Sequence, residues 1–160
     1  MLKKIKEKLV VSCQALEDGP LHSSFIMGRM ALAAKQGGAA GIRAQSKDDI
    51  NEIIKVAKLP VVGIVKRNYS DSEIYITPTQ KEIEELLETK CEMIALDATL
   101  RKRPNGEKLI DLVKYIKEHG RLAMADCSTY DEAVNAEKIG FDCVSTTLCG
   151  YTPYSENLDG

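Results

Sequence analysis

Five of the predicted strands end in a polar side chain suited to binding or proton transfer: Gln14, Arg43, Lys66, Asp97 and Asp126. Lys66 follows an apolar run, residues 60–65, that is typical of a strand buried on both faces of a parallel sheet. In alternating α/β folds, ligands bind at the carboxyl ends of such strands. A lysine that loses solvent there has a lowered pKa and can act as a proton-transfer base. The alternative is a solvated charge that closes the strand.

The other four side chains each have a functional and a structural interpretation. Arg43 is a fixed positive charge that could stabilise a developing oxyanion or hold Lys66 neutral by repulsion, or it could form a salt bridge with a carboxylate. Asp126 could bind substrate hydroxyls or orient Lys66, or be the buried partner of Arg43. Gln14 can donate and accept hydrogen bonds to a ligand, or simply end a strand. Asp97 is interpreted as structural.

The elements that must position these residues alternate regularly between strands and helices. Capping-box patterns begin at Ser46, Thr79 and Thr129, each opening an amphipathic helix. Short apolar runs between the helices predict six strands, at residues 9–14, 39–44, 60–66, 91–98, 121–127 and 141–147. After the sixth strand, the chain is expected to run to residue 160 as a loop. This alternation predicts parallel βαβ units.

Two closures of such a sheet are possible, an open doubly wound sheet and a (β/α)8 TIM barrel. No Gly-x-Gly-x-x-Gly turn follows the first strand, which disfavours the dinucleotide-binding version of the open sheet. Polar residues at five different strand ends favour the barrel, whose active site is distributed around one face. A barrel has eight strands, whereas six are predicted here. We therefore expect residues 1–160 to form one TIM-barrel domain that is C-terminally incomplete; the alternative is that another element closes the barrel.

Composition excludes several classes of function. The net charge is −2 over 160 residues, without the basic block of a nucleic-acid-binding protein and without an apolar run long enough to span a membrane. The charged N-terminal residues 1–8 are unlike a signal peptide, so a cytoplasmic location is expected. The five cysteines form no C-x-x-C pair and are interpreted as packing residues. With two histidines far apart in the sequence, no metal site is expected.

Several segments together resemble the N-acetylmannosamine-6-phosphate 2-epimerase family of bacterial sialic acid catabolism. They are spread in family order over the whole chain, at residues 12–15, 41–44, 60–66, 76–79, 94–99, 124–128 and 150–152. The resemblance implies a (β/α)8 barrel that interconverts N-acetylmannosamine 6-phosphate and N-acetylglucosamine 6-phosphate, with Lys66 as the base. It also implies two further strands, which bring a catalytic glutamate and the loops that hold the substrate phosphate, beyond this chain.

The implied reaction removes the C2 proton, which is α to the C1 carbonyl of the open-chain sugar, and reprotonates the enolate on its other face. It requires a base with a pKa near neutral and a stabilised oxyanion, and it requires no cofactor. The expected partner is a small sugar phosphate.

Two other functions stay open. A Schiff-base aldolase or lyase acting on a sugar phosphate would use the same lysine as a nucleophile. Alternatively, the chain could be an inactive truncated barrel that only binds sugar or pairs with another copy, since open parallel strand edges favour association and a homodimer is possible.

Overall fold

The computed structural model describes residues 1–156, so the last part of the expected C-terminal loop, residues 157–160, lies outside the described residues. The elements follow in the order α1 (Leu2–Ile5), β1 (Val10–Cys13), α2 (Ser24–Gln36), β2 (Gly41–Gln45), α3 (Lys47–Ala57), β3 (Val61–Ile64), α4 (Gln80–Leu87), β4 (Met93–Asp97), α5 (Leu109–Glu118), β5 (Leu122–Asp126), α6 (Tyr130–Ile139) and β6 (Cys143–Ser145). The six strands form one sheet, all parallel and paired in sequence order.

The sheet is curled, and its two faces carry separate apolar layers. The larger layer packs between the sheet and the helices and includes Ile42, Ile83 and Leu96. The smaller layer lies on the opposite, concave face and includes Val62, Ile64, Met93 and Ala95. Side chains of β2 and β5 touch across this face although β3 and β4 lie between those strands. The sheet is therefore a half-barrel, and the predicted fold class of six βα units of a TIM barrel is confirmed.

Local sequence signals set where the helices begin and end. The capping boxes at Thr79 and Thr129 form as predicted, each with a glutamate, Glu82 or Glu132, that accepts a hydrogen bond from the backbone of its own cap. Gly140 ends α6 with φ of +97°, a left-handed conformation that glycine adopts without steric penalty.

Five predicted strands differ from the observed ones by one or two residues at their ends, a normal scatter for boundaries. The third strand differs for a specific reason: β3 ends at Ile64, whereas the apolar pattern predicts a strand to Lys66. Lys66 instead makes an isolated antiparallel bridge with Ile76, because the following chain folds back against the strand end. The helix α1 and the 3-10 turn Pro104–Gly106 were not predicted.

The half-barrel has two edge strands in the described part of the chain, β1 and β6. Within residues 1–156, β1 pairs only with β2 and β6 only with β5. No helix in that part of the chain has both the length and the apolar character needed to span a bilayer.

Candidate active site

The concave face of the half-barrel collects the polar strand-end residues. Side chains alternate between the two faces of a strand, and Val62 and Ile64 of β3 belong to the concave layer. The same alternation assigns to that face a series of polar side chains at successive strand ends: Gln14, Arg43, Gln45, Lys66, Asp97 and Asp126. The carboxyl ends of parallel strands share one edge of the sheet. These residues therefore form a polar rim around that open end of the half-barrel, which we call the mouth.

Lys66 is partly buried at this rim. Burial lowers the pKa of its ammonium group below the ordinary value, and the positive charge of Arg43 lowers it further. Its Nζ atom lies 5.9 Å from the centroid of the Tyr75 ring. The structure thus gives Lys66 both influences that the sequence suggests for a base, loss of solvent and repulsion by Arg43.

Arg43 and Asp126 form a bidentate ion pair across the concave face. The two guanidinium nitrogens donate to the two carboxylate oxygens at 2.9 and 2.5 Å, and the Asp126 side chain is fully buried. Arg43 also approaches the sulfur of Met124 at 3.8 Å. A planar, two-point contact of this kind fixes the guanidinium orientation. The salt bridge that we weighed for Arg43 therefore exists, and it leaves the charge of Arg43 beside Lys66.

Asp97 is also fully buried, but its partners are local. Its carboxylate accepts hydrogen bonds from the Thr99 backbone (2.9 Å), the Thr99 hydroxyl (2.7 Å) and the Arg101 guanidinium (2.7 Å). All of these donors lie in the loop that follows β4. This arrangement fits the structural interpretation of Asp97, since the carboxylate ties its own loop to the strand end.

A cleft of about 760 Å³ opens at the rim, between the β1–α2 loop and the chain that follows β3. It is lined in part by Lys66, Gln45 and Tyr75. Gln45, which is 9% exposed, donates to the Ala15 carbonyl at 3.1 Å and so ties β2 to that loop. Gln14 is partly exposed, and no hydrogen bond joins it to the other predicted site residues within the described chain. Gln45 was not singled out from the sequence, although strand alternation from Arg43 predicts its face.

An ion cluster holds the chain after Lys66 against the N-terminus of α4. Arg67 pairs with Glu82 and Glu85, and the Tyr69 hydroxyl donates to Glu82 at 2.9 Å. Burial pushes the pKa of Glu82 upward, but hydrogen bonds from Thr79, Arg67 and Tyr69 outweigh burial and hold the pKa below its ordinary value. Glu82 therefore stays ionised and anchors the segment that begins at the candidate base.

Two cysteine thiols, one directly after β5 and one in β6, are poorly ionised because they are buried. Burial raises the pKa of Cys127 to about 12 and of Cys143 to about 11, so both thiols are protonated near neutral pH. Within residues 1–156, no three or more His, Cys, Asp and Glu side chains are grouped so that they could hold a metal ion.

Comparison with known proteins places this geometry in a family. Residues 27–159 match the family model described as "Putative N-acetylmannosamine-6-phosphate epimerase". The chain belongs to this epimerase family. The relative named as the 2-epimerase in Clostridium perfringens strain SM101 is 73% identical over 98% of this chain and 71% of its own length. The one in Clostridioides difficile is 68% identical over all of this chain and 72% of its own length.

A solved structure supports the assignment to the epimerase family. The N-acetylmannosamine-6-phosphate 2-epimerase from Clostridium perfringens matches with a TM-score of 0.97 at 71% identity, covering 98% of this chain and 69% of that one. The family resemblance noted in the sequence is thus confirmed. About three tenths of the length of these epimerases lies outside the matched region.

Proposed function

We propose that this chain carries the base of a carbohydrate 2-epimerase that interconverts N-acetylmannosamine 6-phosphate and N-acetylglucosamine 6-phosphate, in amino-sugar and sialic acid catabolism. Membership of the epimerase family supports the substrate and the reaction. The observation that carries the mechanism is Lys66, a partly buried amine at the mouth of the half-barrel whose pKa is lowered by burial and by Arg43.

In this mechanism, the neutral Nζ of Lys66 takes the C2 proton of the open-chain sugar phosphate. The electron pair of the broken C–H bond moves into the C1–C2 bond, and negative charge develops on the C1 oxygen. Arg43 supplies a positive charge near that oxygen while Asp126 holds its guanidinium in place. A proton returned to the opposite face of C2 gives the epimer. The family resemblance implies a catalytic glutamate outside the matched residues, to which we assign no step.

The remaining polar residues of the rim complete the proposal. Gln14 would hydrogen-bond a hydroxyl or the N-acetyl group of the sugar, and Asp126 would contact a sugar hydroxyl in addition to Arg43. Residues 1–160 would belong to a single barrel domain in a cytoplasmic enzyme. The proposal includes a homodimer, which sedimentation velocity would detect. A monomer at every protein concentration would contradict it.

Isotope exchange at C2 tests the proposed reaction. The chain is incubated with N-acetylmannosamine 6-phosphate in deuterated water, and C2 is followed by NMR, with Lys66→Ala as the matched variant. We expect deuterium at C2 together with the epimer, and a loss of at least about 10²-fold in the variant.

A second arm fuses residues 1–156 to the C-terminal part of the Clostridium perfringens relative that this chain does not match, and carries the same Lys66→Ala change. Exchange in either arm that depends on Lys66 supports the proposal. Folded protein without exchange in both arms contradicts it. Borohydride trapping of substrate on Lys66 would instead indicate the Schiff-base lyase.

A further inference from the structure

The chain that follows Lys66 leaves the sheet and returns to it between two strands. Lys66 and Ile76 form an antiparallel bridge, and the Arg67 N–H donates to the Tyr75 carbonyl at 2.9 Å. The Thr77 N–H then donates to the Val65 carbonyl at 2.7 Å. The dipeptide Ile76–Thr77 therefore lies against the end of β3, on the side that faces β4.

Thr77 takes the place of a strand-to-strand hydrogen bond. Strands β3 and β4 pair in parallel at two positions, Val62 with Met93 and Gly63 with Ile94. One residue further in this parallel register, the Val65 N–H would donate directly to the Ala95 carbonyl. Instead, the Thr77 hydroxyl accepts from the Val65 N–H at 3.3 Å and donates to the Ala95 carbonyl at 2.7 Å. The hydroxyl thus bridges the two strands and keeps their ends apart.

The backbone of Thr77 is held in a conformation that its side chain disfavours. Its φ is +44°, rare for a β-branched residue, and the residue is fully buried. Such conformations persist where surrounding contacts fix them, and they cluster at functional sites. One such contact is Arg103, 4% exposed, which donates to the carbonyls of Thr77, Pro78 and Asp97.

We infer that Thr77 is a positioning residue for Lys66: its hydroxyl separates β3 from β4 and so directs the side chain that follows Val65 into the mouth. Val65 is the residue before Lys66, and both its backbone N–H and its carbonyl are bound by Thr77. The catalytic part of this inference rests on the proposed function. The geometric part, that Thr77 sets the surroundings of Lys66, does not.

The surroundings of Lys66 provide a readout that needs no substrate. Arg43 faces it from β2, Glu17 and Asp18 line the same cleft from the β1–α2 loop, and Arg67 follows it in the chain. If Lys66 moves toward solvent and away from Arg43, the two causes that lower its pKa both weaken.

The test compares Thr77→Val, which keeps the branched shape and loses the hydroxyl, with Thr77→Ser, which keeps the hydroxyl. Lys66 is titrated by NMR in protein with isotope-labelled lysine, and Lys66→Met assigns its signal. We expect the pKa of Lys66 to rise toward its ordinary value in Thr77→Val and to stay at the wild-type value in Thr77→Ser. In protein that exchanges C2, kcat should fall about 10- to 100-fold in Thr77→Val, with KM changed less than about threefold.

The outcomes separate this inference from the proposed function. A shifted Lys66 titration in Thr77→Val, with no C2 exchange by wild-type protein in either arm of the exchange experiment, supports positioning and counts against the epimerase reaction. Folded Thr77→Val with the wild-type titration overturns positioning, whatever the activity. If Thr77→Val does not fold, the Lys66 titration is measured in Thr77→Ala and in Arg103→Lys instead. A Lys66 pKa that stays at the wild-type value in both variants overturns the positioning role of Thr77.

Discussion

Asp97 and Asp126 are the same residue at the same position of neighbouring strands, yet the structure uses them differently. They are register partners at the ends of β4 and β5, and both are fully buried. The Asp97 carboxylate accepts its hydrogen bonds from the loop that follows it, namely from Thr99 and Arg101, whereas the Asp126 carboxylate is paired with Arg43, three strands away. A carboxylate satisfied by its own loop stabilises that loop, while one satisfied across the mouth orients a charge over the site.

The sharpest test of this comparison replaces each aspartate by asparagine and measures C2 exchange in protein that supports it. We expect Asp126→Asn to lower kcat by about 10²- to 10³-fold, because Arg43 loses the partner that orients its charge. Asp97→Asn should lower kcat less than about 10-fold per folded molecule. Equal losses in the two variants, with folding checked by circular dichroism, would remove the distinction.

The stability of Asp97→Asn should show the other half of the contrast. The change leaves Arg101 without its anionic partner and weakens the Thr99 contacts, so we expect a loss of about 3 kcal/mol in the free energy of unfolding, measured in urea. Glu73→Gln, at an exposed loop position, is the control and should change stability by less than about 0.5 kcal/mol. A loss in Asp97→Asn no larger than the control would contradict an anchoring role.

A smaller effect is expected from Lys66→Met, which tests whether the partly buried amine of Lys66 lowers the free energy of unfolding. The pKa of Lys66 is lowered in the folded state, so the unfolded chain binds its proton more readily. The resulting penalty is full below the folded pKa and disappears above the unfolded one. Near pH 7, Lys66→Met should therefore raise the free energy of unfolding. The difference in the free energy of unfolding between Lys66→Met and wild type should shrink as the pH rises from the folded to the unfolded pKa of Lys66. A difference that stays constant with pH would contradict a lowered pKa of Lys66.

The smallest expected change concerns charge beside the base. Arg43→Gln removes the cation that lowers the pKa of Lys66, so that pKa should rise and less neutral amine should be present at pH 7. The lysine titration by NMR measures this directly. The double variant Arg43→Gln/Asp126→Asn provides the control, since it also removes the carboxylate that Arg43→Gln leaves unpaired. A Lys66 titration unchanged in both would show that Arg43 does not act on it.

Much of the fold follows from local pattern. Apolar runs and capping boxes predict all six strands and the helices between them, because each unit is specified by its own sequence. The strand ends also predict that Arg43 and Asp126 lie at one rim, and the salt bridge between them was among the alternatives. The catalytic role of Lys66 stays a prediction, as do the substrate-binding roles of Gln14, Arg43 and Asp126.

The rest depends on contacts between distant segments, to which local pattern is blind. Nothing in the apolar run before Lys66 signals that Ile76 and Thr77 will end β3 early. The composition of residues 101–106 predicts a basic turn, yet Arg103 is buried because the carbonyls that it binds come from two other parts of the chain.

The ion pair between Arg43 and Asp126 also has a consequence for the order of folding. Neighbouring strands are one βα unit apart along the chain, whereas this pair joins residues 83 positions apart. Contacts between distant residues carry a larger loop-closure entropy, so local βα units should form before the curl that brings the pair together. We expect φ-values near 0 at Asp126 and higher ones at Val62. A folding nucleus centred on Asp126 would contradict this order. In the expected order, the mouth is the last part of the half-barrel to form.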